Sequence, residues 1–357
     1  LTNELETSKF DVLVVGGGIL GSCAALELAR AGKKVAVVDR REIFGGASSS
    51  QLGQLSLSQQ PLAMIEASLK GLALWRDMGT NFELRALPCI TTAFTEQEET
   101  WLDERVRARA AAGVKTQMLS RAELQDLAPE FSAGVVAAAR TDDAGAIYAS
   151  RGGTYFRHSF RDWGVQYFER SSVDHLEHLN KGYRAQLKSQ AIEAEQVLLA
   201  NGAWMPKLLG ELGLRIDVSS LVRTYAFVER SPVSLGYTLD HVLRRLSLVQ
   251  ESNGTYSIGG SWMSKGDPHE DRGKVDLSSL ISNIRLAAHA QPFLDGLRLT
   301  RSWTTYEGQV GDGSAPMLGE VPGYPGLFLA QGCAESLTAA PHLALLMAQL
   351  MQVGSTT

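Results

Sequence analysis

Cysteine is scarce, with three in 357 residues. Cys23, Cys89 and Cys333 stand far apart with no C-x-x-C pair, which argues against a zinc site or a disulfide framework and fits a reducing compartment. Long apolar runs are also missing. Residues 134–139 and 343–348 are among the longest, far below the roughly 18–20 residues that span a bilayer. Positive charge is not in excess either: 34 Lys and Arg face 39 Asp and Glu, a net charge of -5. A general attraction to nucleic acid or anionic lipid is therefore not expected. The first nine residues are polar and partly acidic, the reverse of a secretory signal. There is no internal repeat and no low-complexity tract. The expectation is a soluble, cytoplasmic protein with no membrane span, no nucleic-acid partner and a small-molecule ligand.

What is abundant is glycine, 35 residues against 11 Pro, in a chain of ordinary apolar content at 44%. No G-X-Y period exists, so collagen is excluded, and the glycines must serve backbone geometry at particular places. The length allows about two domains with sizeable cores.

Residues 10–15 form a β-rich apolar run, followed by Gly16-Gly17-Gly18-Ile19-Leu20-Gly21, a helical pattern closed by Gly32, and a second strand over 35–38 that ends at Asp39. This strand, turn, helix, strand order is a βαβ unit of a parallel sheet. Residues 42–60 read as a Gly-, Ser- and Gln-rich loop. Helices are expected over 61–78, 96–113 and 152–163, and a capping box at Ser120 and Glu123 opens a short one. Strands are expected over 165–169, 184–187 and 196–200. Residues 223–229, 246–251 and 256–260 alternate as antiparallel strands with a turn at Ser252-Asn253-Gly254. A last strand over 327–330 precedes a terminal helix over 338–353.

The chemistry lies in Gly16-x-Gly18-x-x-Gly21. Alone the pattern is weak, and a tight turn that binds nothing would satisfy it. Here it follows a strand, opens a helix, continues with Ala25 and Gly32, and is answered by Asp39. The first Gly makes the turn, the second admits a pyrophosphate, and the third lets helix and strand pack closely. The helix N-terminus faces the phosphates and Asp39 accepts from a ribose. The choice between FAD and NAD falls to FAD on the run Gly45-Gly46-Ala47-Ser48-Ser49-Ser50, suited to an extended dinucleotide.

Four stretches carry a resemblance to the D-amino-acid oxidase and glycine oxidase family of flavoproteins: DVLVVGGGILGSCAALELARAGKKVAVVD (11–39), GGASSSQLGQ (45–54), LLANGAW (198–204) and DGSAPMLGEVPGYPGLFLAQG (312–332). The resemblance covers nearly the whole chain. It implies an α/β fold with a Rossmann-type FAD-binding domain, residues 1–85, 148–215 and 303–357, and an inserted mixed or antiparallel sheet substrate domain, residues 86–147 and 216–302. By resemblance, Gly16, Gly18, Gly21 and Asp39 hold the ADP half of FAD. Ala47, Ser48, Ser49 and Gly53 run along the pyrophosphate and flavin, Val173 reaches the adenine through its backbone, and Gly332 approaches the pyrimidine end of the ring. The implied reaction oxidises a C–H beside an amine, with orientation and exclusion of water supplied by the protein and no obligatory catalytic acid or base.

One departure is informative. Family members that oxidise simple amino acids commonly place a carboxylate-gripping Arg after the Trp of the segment here read as 301–308, and glycine oxidases can place a second in the segment here read as 331–336. This chain has Glu307 and Glu335 there. Either these are solvent-exposed after a one-residue misalignment, or they form a pocket for a cationic group such as a guanidinium. Within the family the chain resembles the flavin-bearing β subunits of heteromeric opine (octopine or nopaline) and proline-type dehydrogenases, and the second reading favours an opine-type secondary amine with an Arg-like arm, oxidised by a catalytic subunit that works with a partner passing electrons onward, in a heteromeric dehydrogenase. The alternatives are a stand-alone oxidase for glycine, sarcosine or a D-amino acid, a nicotinamide-dependent dehydrogenase, and a non-catalytic flavoprotein subunit. Gln54, Tyr225 and Trp262 either line a substrate pocket or pack in the sheet. Arg223 and Arg301 either grip a carboxylate or serve surface ion pairs. Cys333 is expected to be a buried inert thiol. His175 and His178 are read as surface residues, not a metal pair. Arg105, Arg107 and Arg109 read as a solvated helix face.

Overall fold

The structure, a computed structural model, describes residues 7–244, 246–268, 273–332 and 336–353. It divides into two compact units, Leu1–Ser49 with Ser150–Ser220 and Glu307–Thr357, and Ser50–Ala149 with Leu221–Tyr306.

In the first unit, an eight-stranded sheet has the path Met317–Glu320, Leu327–Gln331, Ala191–Leu199, Thr7–Val15, Val35–Val38, Gln166–Phe168. Two further strands, Tyr183–Leu187 and Val173–His178, continue antiparallel from Ala191–Leu199. The central strands are parallel, and their carboxyl-terminal parts, residues 12–15, 35–38, 197–199 and 327–330, are wholly apolar because they are buried on both faces. Leu13, Val15, Val38, Val197 and Leu199 form the core with Met205, Leu208 and Leu209. Small residues on helix Ile19–Arg30, Gly21, Ala24 and Ala25, are buried and let it lie close to its neighbours, among them the terminal helix Ala340–Val353. Register decides where a site can form. Val15 pairs with Val38 and with Leu199, and Leu199 pairs with Leu329. The chain therefore leaves four adjacent parallel strands at one level, the carboxyl edge where ligands of such sheets bind.

The second unit is built on another eight-stranded sheet, in the order Leu299–Val310, Val218–Val228, Tyr256–Ser264, Ser247–Gln250, Thr238–His241, Cys89–Ala93, Ala137–Thr141, Thr116–Leu119. It is mixed, since Thr238–His241 runs parallel to Cys89–Ala93. Helix Leu277–Ala290, capped by the Asp276 carboxylate on the Ser279 amide at 2.8 Å, places Leu286, Ala287 and Ala290 on the core with Leu248 and Ile258. Helix Glu96–Ala111 buries Leu102 and Val106 against Ala93, Ala137 and Ala139. The capping box of Ser120 and Glu123 forms as read.

The structure differs from the sequence reading at three places. Residues 50–85, expected with the cofactor domain, fall in the second unit, where Gln54–Ser56 pairs with Ala144–Ala146 and Trp75 packs edge-on against Phe82. The strand Leu299–Val310 was not foreseen, because its alternation is broken by Thr and Gly. The arginine run is not one solvated face. Arg107 is exposed and pairs with Asp103 at 2.6 Å. Arg109 is buried instead, donating to the carbonyls of Leu57 at 3.0 Å and Gln60 at 2.5 Å.

Candidate functional site

The Gly-rich turn leaves strand Thr7–Val15 at Gly16, whose amide donates to Val38 O at 2.8 Å. Gly16 has φ +106°, and a Cβ on it would stand 2.5 Å from Ala200 O and 2.8 Å from the Asn201 Cα. A Cβ on Gly21 would lie 1.9 Å from Gly16 O. Any side chain at either place would force the turn away from the sheet, so the tight turn and the close helix packing expected of these glycines are both present. Gly18 is the N-cap of helix Ile19–Arg30, and Ser48 Oγ accepts the Ile19 amide at 2.9 Å. Ser48 belongs to the short helix Ala47–Ser50, so Ala47 and Ser49 flank the helix start with it.

Asp39 follows the second strand. Its carboxylate accepts the amides of Gly17 and Arg41, each at 2.7 Å. Burial pushes its carboxyl above the usual value, against the pull of those two amides and the charges of Arg40 and Arg41. Two backbone donors leave further lone pairs for ligand hydroxyls. Beside it, the Arg40 guanidinium lies 4.3 Å from the ring centre of Trp204. The sequence signal for that pair was present, as Trp204 closes the LLANGAW stretch, but only the fold joins it to Arg40. Val173 opens its strand and is nearly buried. Gly332 follows Gln331 at the end of the last central strand, and a Cβ on it would meet Ser336 Oγ at 2.4 Å.

The region has unmet polar capacity. Asn201 Oδ1 and Gln331 Oε1 are buried side-chain oxygens with no hydrogen-bond partner among the described residues. Both belong to the carboxyl edge. A glycine turn too tight for a side chain, a helix N-terminus beside it, a carboxylate on the second strand and unsatisfied oxygens fit a dinucleotide such as FAD.

The FAD dependent oxidoreductase family matches residues 11–350. The chain belongs to this family. Among relatives, a glycine oxidase of Geobacillus kaustophilus (strain HTA426) is 26% identical over 97% of this chain and 94% of its own length. One subunit of an opine oxidase of Rhizobium meliloti is equally identical, at 26%, over the same shares. The crystal structure of glycine oxidase from Geobacillus kaustophilus superposes with a TM-score of 0.86 at 24% identity, covering 97% of this chain and 95% of that one. The α/β architecture is thus that of its structural neighbours, and FAD is the cofactor of the family.

The remaining expected residues lie as follows. In the second unit, Gly53 has φ +71° and its carbonyl accepts the Ile147 amide at 2.9 Å. Gln54 is held by its own unit: its Oε1 accepts from Ser247 Oγ, and its Nε2 lies 3.4 Å from both Cys89 Sγ and Thr238 Oγ1. Tyr225 is buried beside Leu52, Ala146 and Val249, with its ring 5.7 Å from that of Trp303. Trp262 is 37% exposed, and its amide donates to Asn283 Oδ1 at 3.1 Å. Arg223 is buried, not at the surface, and donates to Gly260 O at 3.0 Å. Arg301 is exposed, with its guanidinium 5.5 Å from the Trp303 ring. Glu307 is partly buried in the first unit, next to Gly308. Glu335 and Cys333 lie outside the described residues.

His175 pairs with Glu211 at 3.2 Å and His178 stacks on Tyr183 at 4.8 Å. No group of three or more metal-ligating side chains occurs among the described residues. No described helix is long and apolar enough to cross a membrane.

Proposed function

We propose that this chain oxidises the C–N bond of an opine-type secondary amine, joining an amino acid with a cationic arm to a keto acid. When bound, FAD would take the hydride from the C–H beside the neutral amine, and water would then split the imine into amino acid and keto acid. Gly16, Gly18 and Gly21 bring the backbone and the helix N-terminus to the pyrophosphate, while Asp39 accepts from the ribose. Ala47, Ser48, Ser49, Gly53, Val173 and Gly332 complete the FAD contacts. Gln54, Tyr225 and Trp262 supply substrate contacts. No side chain acts as an obligatory acid or base, because orientation and exclusion of water suffice.

The observation that carries the substrate class is the carboxylate of Glu307, partly buried, at the position where the family resemblance implies a carboxylate-gripping Arg. A negative charge there disfavours a small amino acid and favours a guanidinium arm. The likeness to one subunit of an opine oxidase over nearly the full chain supports the reading, and supports a partner that takes the electrons onward. An equally similar glycine oxidase favours a second reading, a stand-alone oxidase that forms peroxide. Product analysis tests the first: an Arg-derived opine with an artificial electron acceptor should release arginine and keto acid in equal amounts. Absence of both products, with glycine consumed instead, sinks it.

A further inference from the structure

Two amide side chains end adjacent parallel strands of the first unit. Each lies two positions past the paired residues Leu199 and Leu329, Asn201 on one chain segment and Gln331 on the other. Gln331 is 5% exposed, and its Nε2 donates to Gly308 O at 2.8 Å and lies 3.4 Å from Gly332 O. That anchors the amide and fixes its oxygen end. Gly308 holds the two segments together: a Cβ on it would stand 2.7 Å from Gln331 Nε2 and 2.8 Å from both Ala203 N and the Gly202 carbonyl carbon. Asn201 in turn abuts Gly16, the first glycine of the turn. The oxygens of both amides are buried without a donor among the described residues. Such oxygens cost free energy unless a ligand or ordered water supplies the hydrogen.

The chemistry of the missing donor is restricted. Amide oxygens only accept, so they repel a pyrophosphate, which only accepts as well. In FAD the groups flanking the pyrophosphate are polyols, the adenosine ribose on one side and the ribityl chain on the other. Asp39 stands ready for the ribose. We infer that Asn201 and Gln331 accept hydrogen bonds from the ribityl hydroxyls of FAD, an inference that rests on the cofactor and not on the substrate proposed above.

The experiment titrates apoprotein with FAD and, separately, with ADP, which lacks the ribityl chain. Asn201→Ala and Gln331→Leu should each weaken FAD about 5–50-fold, the range of losing a buried acceptor, with ADP affinity within about twofold of the parent. Retained ADP binding also certifies that the variant folds. The same variants titrated with 2′-deoxyribityl FAD should show a smaller penalty than with FAD. Unchanged FAD affinity, meaning the oxygens hold water alone, overturns the inference. So does a parallel loss of ADP and FAD, which marks a structural role, or an undiminished penalty with the deoxyribityl analogue, which assigns the donor to the flavin ring.

Discussion

The Asp39 carboxylate and the Gly17 amide are 2.7 Å apart, so the residue that ends the second strand also closes the Gly-rich turn that begins after the first. One side chain thereby organises the Gly-rich turn and, in the proposed cofactor site, would present oxygens to a ribose. Asp39→Ala removes both at once. FAD affinity, followed by flavin fluorescence during titration of apoprotein, should fall about 10–100-fold, equivalent to roughly 1.4–2.8 kcal/mol. Affinity within twofold of the parent would show that the carboxylate does neither.

Glu307 gives the sharpest prediction on specificity. Glu307→Gln should lower kcat/KM for an Arg-derived opine by about 2–4 kcal/mol of transition-state binding, the scale of a lost charge-assisted pair. An opine built on an uncharged amino acid should be affected far less. Equal effects on both substrates would mean that Glu307 does not meet the cationic arm.

The two arginines of one helix should separate cleanly in stability. Arg109→Met leaves the carbonyls of Leu57 and Gln60 without their donor and removes a positive charge near the buried Asp240, costing about 2–4 kcal/mol in urea unfolding. Arg107→Ala, at an exposed pair, should stay within about 0.5 kcal/mol. A similar loss for both variants would contradict the buried placement of Arg109.

A pH effect follows from His241, which is fully buried. Its Nδ1 accepts the amides of Leu243 at 3.1 Å and Arg244 at 3.2 Å, so the neutral tautomer carries its proton on Nε2, 3.5 Å from Glu98 Oε2. Burial lowers its pKa to about 4 from 6.5, against the attraction of Glu98. Glu98 itself, despite burial, is held below its usual value by the Phe94 amide, His241 and Arg244. Between pH 6.5 and 4 the unfolded His takes up a proton that the folded one refuses, so stability falls as pH falls through that window. The loss is on the order of 3 kcal/mol, read from denaturant midpoints at each pH. His241→Asn should flatten the profile, and an unchanged slope would contradict the assignment.

Much of this molecule was readable in advance where local chemistry dictates structure. The βαβ unit, the glycines at 16 and 21, the Asp39 end of the second strand and the capping box at Ser120 each follow from backbone geometry within a few residues. What escaped depended on contacts distant in sequence. Arg109 looks like any surface arginine until the loop 57–60 folds over it. Gln54 is tied to Ser247 across the second unit, and Arg40 meets Trp204 only once the strands align. Residues 50–85 lie in the second unit, where Gln54 pairs with Ala146, a contact that no periodicity encodes. Asn201 and Gln331 are inconspicuous in the chain and gain meaning only as buried oxygens at the end of one sheet.

The opine reading stands or falls on anaerobic reduction of the bound flavin, followed by loss of its visible absorbance, against Arg-derived opines, proline-type imino acids, glycine, sarcosine and D-amino acids. Rapid bleaching is expected with the Arg-derived opines, slow or no bleaching with glycine and sarcosine, and little peroxide when air is admitted to the isolated chain. Fast bleaching by glycine or sarcosine with abundant peroxide, and none by any opine, would contradict it.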